Sequence, residues 1–267
     1  MINLNYLFWN TKKTPVNSVL SKIIRRRKCD IIALAEYTDN VTSLINDISD
    51  EKTRYYQIPS IGCDRIKVIA NIKPARIKFL KDTDYYTILQ FPHETLKYHI
   101  VSFVHFSSKM YRERTDFLFY SQLLKNDIDQ IELVVNNKNT VIVGDFNMNP
   151  FEDAMVAASA FHAVPTRDVA NRKSRKVSGL NHSMFYNPMW NLFGDKNNPP
   201  GTYYYSNSNQ VNYFWHIFDQ VLIRPSLINR LPLESIDIIN FVEEESLVNK
   251  RGIPNISDHL PLFFTIV

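Results

Sequence analysis

The sequence predicts an α/β protein in which buried strands and amphipathic helices give way to an antiparallel meander. Three observations predict it. Short β-branched or apolar runs stop repeatedly at a polar residue. Amphipathic helical patterns separate the early runs. Between residues 65 and 105 the apolar periodicity changes to two.

Leu4 to Trp9 reads as a buried strand ending at Asn10. A helix follows, with Thr14 as its cap, Pro15 at its first position and an apolar face of Val16, Val19, Leu20, Ile23 and Ile24. It closes on Arg25-Arg26-Arg27-Lys28, where cations suit the negative end of the helix dipole. Asp30 to Glu36 is a second buried run, again ending in a polar group. A short helix carries Val41, Leu44, Ile45 and Ile48. Arg65–Ile72, Arg76–Phe79, Tyr85–Phe91 and Tyr98–His105 then read as consecutive strands of an antiparallel meander. From Tyr111 to Asn136 the apolar residues Phe117, Tyr120, Leu124, Ile128, Ile131 and Val135 repeat at helical spacing. Phe151 to Ser159 is a short helical stretch. The following segment, to residue 216, is rich in Asn, Pro and Tyr and reads as long loops on a scaffold. Phe218–Ile223, Ile236–Val242 and Leu260–Val267 are the remaining strands.

The chain is organised around Val141-Ile142-Val143-Gly144-Asp145-Phe146-Asn147-Met148-Asn149-Pro150. A β-branched strand delivers a carboxylate and a carboxamide two residues apart, on the same side of an extended backbone, before Pro150 ends any pairing. Asp145 can hold a hard cation or accept a proton; Asn147 can do only the first. The plainer reading is an Asp-x-Asn turn after a strand. The rest of the chain favours chemistry. Asn10, Glu36, His105, Asp145, Asn147, Asp219 and Asp258-His259 all lie at or beside strand ends. Polar side chains seldom sit against buried strands without partners. In a sandwich these ends meet at one rim. Two like charges ~4 Å apart repel by roughly 4 kcal/mol at intermediate dielectric, so the cluster wants a cation. Oxygen donors without cysteine point to Mg2+ or Mn2+ over zinc.

The 267 residues have 45% hydrophobic and 22% charged content, an ordinary globular balance, and a formal net charge of +4 that suits anionic partners without proving them. No window is apolar enough to span a bilayer. Met1 runs directly into a strand-like stretch, so no signal peptide is expected. Cys29 and Cys63 show no metal-binding or disulfide spacing, and reduced thiols in a cytoplasmic protein are expected. No repeat or composition shift marks a boundary. One domain over residues 1–267 is expected, with a loop-rich, substrate-facing region around 160–216.

The set Trp9-Asn10, Ala35-Glu36, Gly144-Asp145-Phe146-Asn147, Asp219 and Ser257-Asp258-His259 resembles the endonuclease/exonuclease/phosphatase family, with its deoxyribonuclease I-like fold. The likeness runs through nearly the whole chain in the family's order. It implies a four-layer α/β sandwich, two central mixed β-sheets flanked by helices, and metal-dependent phosphoester hydrolysis at the rim. By resemblance, Glu36 is the main metal carboxylate, with Asn10 and Asp258 beside it. Asp145 is the base and Asn147 helps orient water and phosphate. His259 contacts the scissile phosphate with Asp219 as its carboxylate partner. His105 resembles the second histidine of the secreted deoxyribonuclease branch, and Asp64 stands where its acid would be. His93, His99, His162, His182 and His216 receive no role. Two features depart from the pattern: Trp215 lies four rather than three residues before Asp219, and Gln220 stands where some nucleases carry Arg.

Two stretches point to a nucleic acid substrate, DNA or RNA. The basic run holding Arg172, Lys173 and Arg175 suits phosphates. The aromatic run holding Tyr204 and Trp215 suits base stacking. The plainer readings are a solvated loop and a local aromatic core. The leading expectation is a magnesium-dependent nuclease. The alternatives are a phosphatase or phosphodiesterase acting on a small molecule or lipid headgroup, and a binding module that has lost its chemistry.

Overall fold

The computed structural model describes residues 3–109 and 113–267. Met1, Ile2 and the start of the long helical pattern at Tyr111 lie outside them. Among the described residues the principal strands form two mixed sheets. The six-stranded sheet runs Asp237–Ile238, Leu262–Ile266, Leu4–Asn10, Ile31–Ala35, Ile66–Ala70, Tyr56–Ile58. The seven-stranded sheet runs Lys78–Asp82, Tyr86–His93, Lys97–His105, Thr140–Asp145, Asp219–Ile223, Phe185–Tyr186, Ala163–Val164. Each has a parallel pair near its centre: Leu4–Asn10 with Ile31–Ala35, and Lys97–His105 with Thr140–Asp145.

The layers follow from side-chain alternation. Along the first strand Tyr6 and Phe8 point between the sheets, where they share a core with Ala33, Val68, Val101, Phe103, Val143 and Val221. Leu7 and Trp9 point outward with Ile32 and Leu34, against Leu20, Ile23 and Ile24 of helix Asn17–Arg27 and Leu44 and Ile48 of helix Val41–Ile48. On the far side Ile100, Val104, Ile142 and Leu222 meet Phe117, Leu124 and Ile128 of helix Arg114–Val134. Strands covered on both faces are apolar throughout, which is why they read as continuous runs. The four-layer arrangement is as expected.

Several local expectations are corrected. The first helix begins at Asn17, not at a Thr14 cap; the Asp39 carboxylate caps it from another loop, accepting from Val16 N at 2.6 Å and Asn17 N at 3.0 Å. The meander has three strands, not four. Ile66–Ala70 belongs to the other sheet, paired with Ile31–Ala35, and the chain crosses between sheets through the single turn Pro74–Arg76. Residues 236–242 break into Asp237–Ile238, on the six-stranded sheet, and Phe241–Val242, in a ribbon with Glu245–Ser246. The helix expected over 151–159 is one turn, Asp153–Val156. The 160–216 region is not only loops. It adds two strands to the seven-stranded sheet, and it forms the Ser174–Val177/Leu180–Ser183 hairpin and the Tyr203–Tyr204/Trp215–His216 ribbon. Both cysteines are buried and unpaired. No helix among the described residues is long and apolar enough to cross a membrane.

Candidate active site

The topology collects the polar strand ends at one rim. Parallel strands deliver their carboxyl ends there, bringing Asn10, Glu36, His105 and Asp145. The antiparallel strand Asp219–Ile223 delivers its amino end. Asp145 is in register with His105 on one side and Asp219 on the other. Gly144 makes that register possible: a Cβ there would sit 2.0 Å from the Val104 carbonyl oxygen. Asp258 and His259 arrive just ahead of the closing strand. Ser257 Oγ fixes this approach by donating to Asn10 O at 2.8 Å, and Trp9 Nε1 donates to His259 O at 2.9 Å.

Asp145 is the hub. Its side chain is 1% exposed. Oδ2 accepts from Asn10 Nδ2 at 2.9 Å, and Oδ1 accepts from Asn147 N at 2.8 Å. His259 Nε2 lies 3.8 Å from Oδ2 and His105 Nε2 lies 4.0 Å away. Phe146, between the two polar residues, is buried edge-on against Phe106 and Phe161 and anchors the loop. Asn147 Nδ2 donates to Phe106 O at 2.9 Å. Glu36 and Asn147 both adopt left-handed backbone, at φ 49° and 52°. For Glu36 this is an uncommon conformation, of the strained kind that clusters at functional sites.

His259 is clamped between acids. Its Nδ1 lies 2.8 Å from Asp219 Oδ2, and Asp219 is held in turn by Thr202, whose hydroxyl accepts from the backbone of Phe218 and Asp219 at 3.1 Å each. Burial opposes a charge on His259, but Asp219 and Asp145 outweigh it and raise its pKa to about 9. At neutral pH it is an imidazolium whose Nε2–H faces Asp145. Glu36 meets His105 at 3.5 Å, and that contact pulls the Glu36 carboxyl below its usual range against the effect of burial.

These residues line one cavity of about 580 Å³, together with Lys12, Arg65, Ser107, Ser108 and Tyr203. Its donors fit a hard divalent ion. Glu36, Asp258 and the Asn10 carboxamide offer oxygen donors to its wall, which Asp145, two imidazoles, Lys12 and Arg65 share. Asp145, Asp219 and His259 also bring ligand atoms within 4.8 Å of one another. However, an ion there would have to displace the proton of a raised, doubly acid-flanked imidazole.

The structure therefore brings together Asn10, Glu36, His105, Asp145, Asn147, Asp219, Asp258 and His259. It does not bring in the rest of the expected set. The acid beside His105 is Glu36, not Asp64, which is exposed outside the cavity. Arg172, Lys173 and Arg175 are exposed on or beside the Ser174–Val177 hairpin. Lys173 lines a separate cavity with Arg224, just past Ile223, at the opposite end of the strand that starts at Asp219. Tyr204 and Trp215 pack on each other, ring centroids 5.3 Å apart, away from the cavity. Their neighbour Tyr203 is the aromatic at the site, 4.5 Å from the His259 ring. Gln220 is no substrate contact: it is buried, with its amide bonded to Met148 O, Ile217 O and Asn187. His216 is bonded to Asn149 at 3.0 Å and held neutral by burial and Lys109, with its pKa lowered to about 4.

Missed from the sequence were Lys12, Arg65, Thr202 and Tyr203. Only Tyr203 left a trace, since alternation along a strand sends one of two adjacent tyrosines to each face.

A buried carboxylate lies beside a charged imidazole at a cavity lined by further carboxylate and carboxamide groups. The chain belongs to the Endonuclease/Exonuclease/phosphatase family, which it matches over residues 3–259. Among solved structures it is similar to truncated TDP2 of Caenorhabditis elegans, at 14% identity and TM-score 0.58, covering 99% of this chain and 98% of that one. It is similar to an AP endonuclease from Archaeoglobus fulgidus, at 13% identity and TM-score 0.55, covering 98% and 99%. It is also similar to the 3′ phosphatase NExo from Neisseria bound to a product DNA hairpin, at 10% identity and TM-score 0.57, covering 99% of each chain. These likenesses show the deoxyribonuclease I-like fold. No curated protein sequence matches the chain.

Proposed function

We propose that the protein is a divalent-metal-dependent phosphodiesterase, a nuclease that hydrolyses DNA or RNA. The observation that carries this is the array Asp219–His259–Asp145, joined through His105 to Glu36 at one cavity. Asp145 takes the proton of the attacking water; Asn10 and Asn147 hold its two oxygens in place for that task. The Nε2–H of His259 donates to a non-bridging phosphate oxygen, and Asp219 keeps the ring oriented and charged. His105, next to Glu36, is placed to hand a proton to the leaving oxygen. Glu36, Asp258 and Asn10 hold Mg2+ or Mn2+, which neutralises charge on the phosphate when bound. Arg65, exposed on the cavity wall, offers a further cation to a polyanion. The nucleic acid substrate is supported by this charge. It is also supported by relatives of the fold whose structures contain DNA: TDP2 of D. rerio with single-strand DNA product, and NExo. The buried free thiols suit the reducing cytoplasm.

The test is nicking of supercoiled plasmid and cleavage of labelled DNA and RNA oligonucleotides, with Mg2+ and with EDTA. Cutting that needs the metal is the expected result. Turnover of bis(p-nitrophenyl) phosphate with no cutting of either polymer would remove the nuclease reading and leave the small-ester one. No turnover of any ester would leave only a binding role.

A further inference from the structure

Lys12 lies two residues beyond Asn10, at the mouth of the cavity. Its backbone is left-handed, at φ 51°, and so is that of Lys13, at φ 56°. Neither is glycine, so the turn carries a conformational cost. It is held by two bonds to the site itself, Lys12 N donating to Asn10 Oδ1 at 3.1 Å and Lys13 N to Glu36 O at 2.9 Å, and by Thr11 N donating to Ala35 O of the neighbouring strand at 2.9 Å. The turn places Lys12 Nζ 2.8 Å from Asp258 Oδ2. Asp258 is one of the oxygen donors assigned to the divalent ion, so an ion that takes this carboxylate meets one already paired with a tethered ammonium.

We propose that Lys12 is an internal counter-ion of the metal site, competing with the divalent ion for Asp258, so that metal loading must displace the ammonium. This rests on the metal-dependent reading given above. An ordinary surface ion pair would arise anywhere along a flexible side chain. Here the ammonium comes from a strained turn fastened to two other members of the same oxygen wall. The competition has a definite physical consequence. Affinity for the ion is lower than the donor set alone would give, because an existing charge pair must open and because the displaced ammonium stays close to the incoming cation.

The experiment is Mn2+ titration of EDTA-treated protein, followed by electron paramagnetic resonance of the free ion. It compares the native chain, Lys12→Met, Lys13→Met, Asp258→Asn and the double variant Lys12→Met/Asp258→Asn. Lys12→Met is expected to bind Mn2+ about fivefold more tightly, the scale set by the loss of one solvent-exposed ion pair. Lys13→Met, which removes an equal charge that acts on Glu36 but makes no ion pair with Asp258, is expected to tighten binding less than Lys12→Met does. In the Asp258→Asn background the gain from Lys12→Met should vanish. Unchanged or weaker binding by Lys12→Met overturns the inference, and so does a gain that persists without Asp258. Absence of Mn2+ binding from every variant overturns the metal reading itself and this inference with it.

Discussion

The two ends of the strand pair Thr140–Asp145 and Asp219–Ile223 both bury charge, with opposite outcomes. At the far end Arg224, Lys125, Asp129 and Glu132 form a set closed in charge, although it too lines a cavity, of about 370 Å³. Arg224 Nε donates to Glu132 at 2.8 Å, its other arm reaches Asp129, Lys125 also takes Asp129, and Thr140 Oγ1 donates to Glu132 at 2.5 Å. Two cations meet two acids, and the Arg224 guanidinium stacks 4.0 Å from the Phe185 ring. At the rim Glu36, Asp145, Asp219 and Asp258 share two imidazoles, Lys12 and Arg65, and all but Asp219 line a cavity. A balanced network satisfies its own charge and serves the scaffold. A set whose carboxylates, imidazoles and cations line the mouth of a cavity is available to an ion, a water and a phosphate.

That contrast is sharpest in activity. Asp145→Asn keeps shape but cannot accept the proton and turns one of two accepted hydrogen bonds into a donor–donor contact, so turnover of a cleavable oligonucleotide should fall by about 10³-fold while folding stability falls by only about 1–3 kcal/mol. His259→Ala should give a loss of similar order by removing the phosphate donor. Retained turnover in either, measured with saturating metal, would contradict the assigned role. The closed end should respond the other way. Arg224→Met strands Glu132 and part of Asp129, and breaking a buried pair costs about 3–5 kcal/mol. Urea unfolding should show that loss, while activity per folded molecule stays at the native level.

The imidazolium of His259 gives a pH test of the open end. Its folded pKa is raised to about 9, above the ordinary value near ~6.5. A raised pKa means that protonation favours the folded state. The stabilisation is fully present below about pH 6.5 and is lost as pH climbs through about 9. In EDTA, the gap in urea midpoint between the native protein and His259→Gln should narrow steadily from pH 6 to pH 10. A constant gap would show that the ring is not charged in the native state.

Much of the rim was legible because its signals are local. Gly144-Asp145-Phe146-Asn147 and Ser257-Asp258-His259 keep their chemistry within a few residues, and apolar runs ending at Asn10, Glu36 and His105 mark strand ends in one dimension. What was not legible depended on pairing across the chain. Ile66–Ala70 alternates like its neighbours, and only its ladder to Ile31–Ala35 assigns it to the other sheet. Tyr203 and Tyr204 differ by one residue, and a one-residue change of register swaps which of them faces His259. The partner of His105 is Glu36 rather than Asp64 because two strands of different sheets approach at the rim, and no spacing encodes that. The contact from Lys12 to Asp258 joins opposite ends of the sequence.

The smallest expected effect concerns the basic run, where charge alone misled. Arg172 and Arg175 are exposed, and the hairpin they border ends at Ser183, whose hydroxyl takes part in the Lys125–Asp129 network of the closed end. From Asp219 to Ile223 the strand advances roughly 13 Å, beyond a Debye length of about 8 Å at physiological salt. Charges removed there are screened from a phosphate at the rim. Arg172→Ala/Arg175→Ala should therefore leave kcat/KM on a short oligonucleotide within about twofold of native at physiological salt. Lengthening the substrate sharpens the comparison. A loss that appears only with long duplexes would mean that the polymer reaches from the rim to this hairpin. A loss already present with a short oligonucleotide would place the basic run at the rim and contradict the division between the two ends.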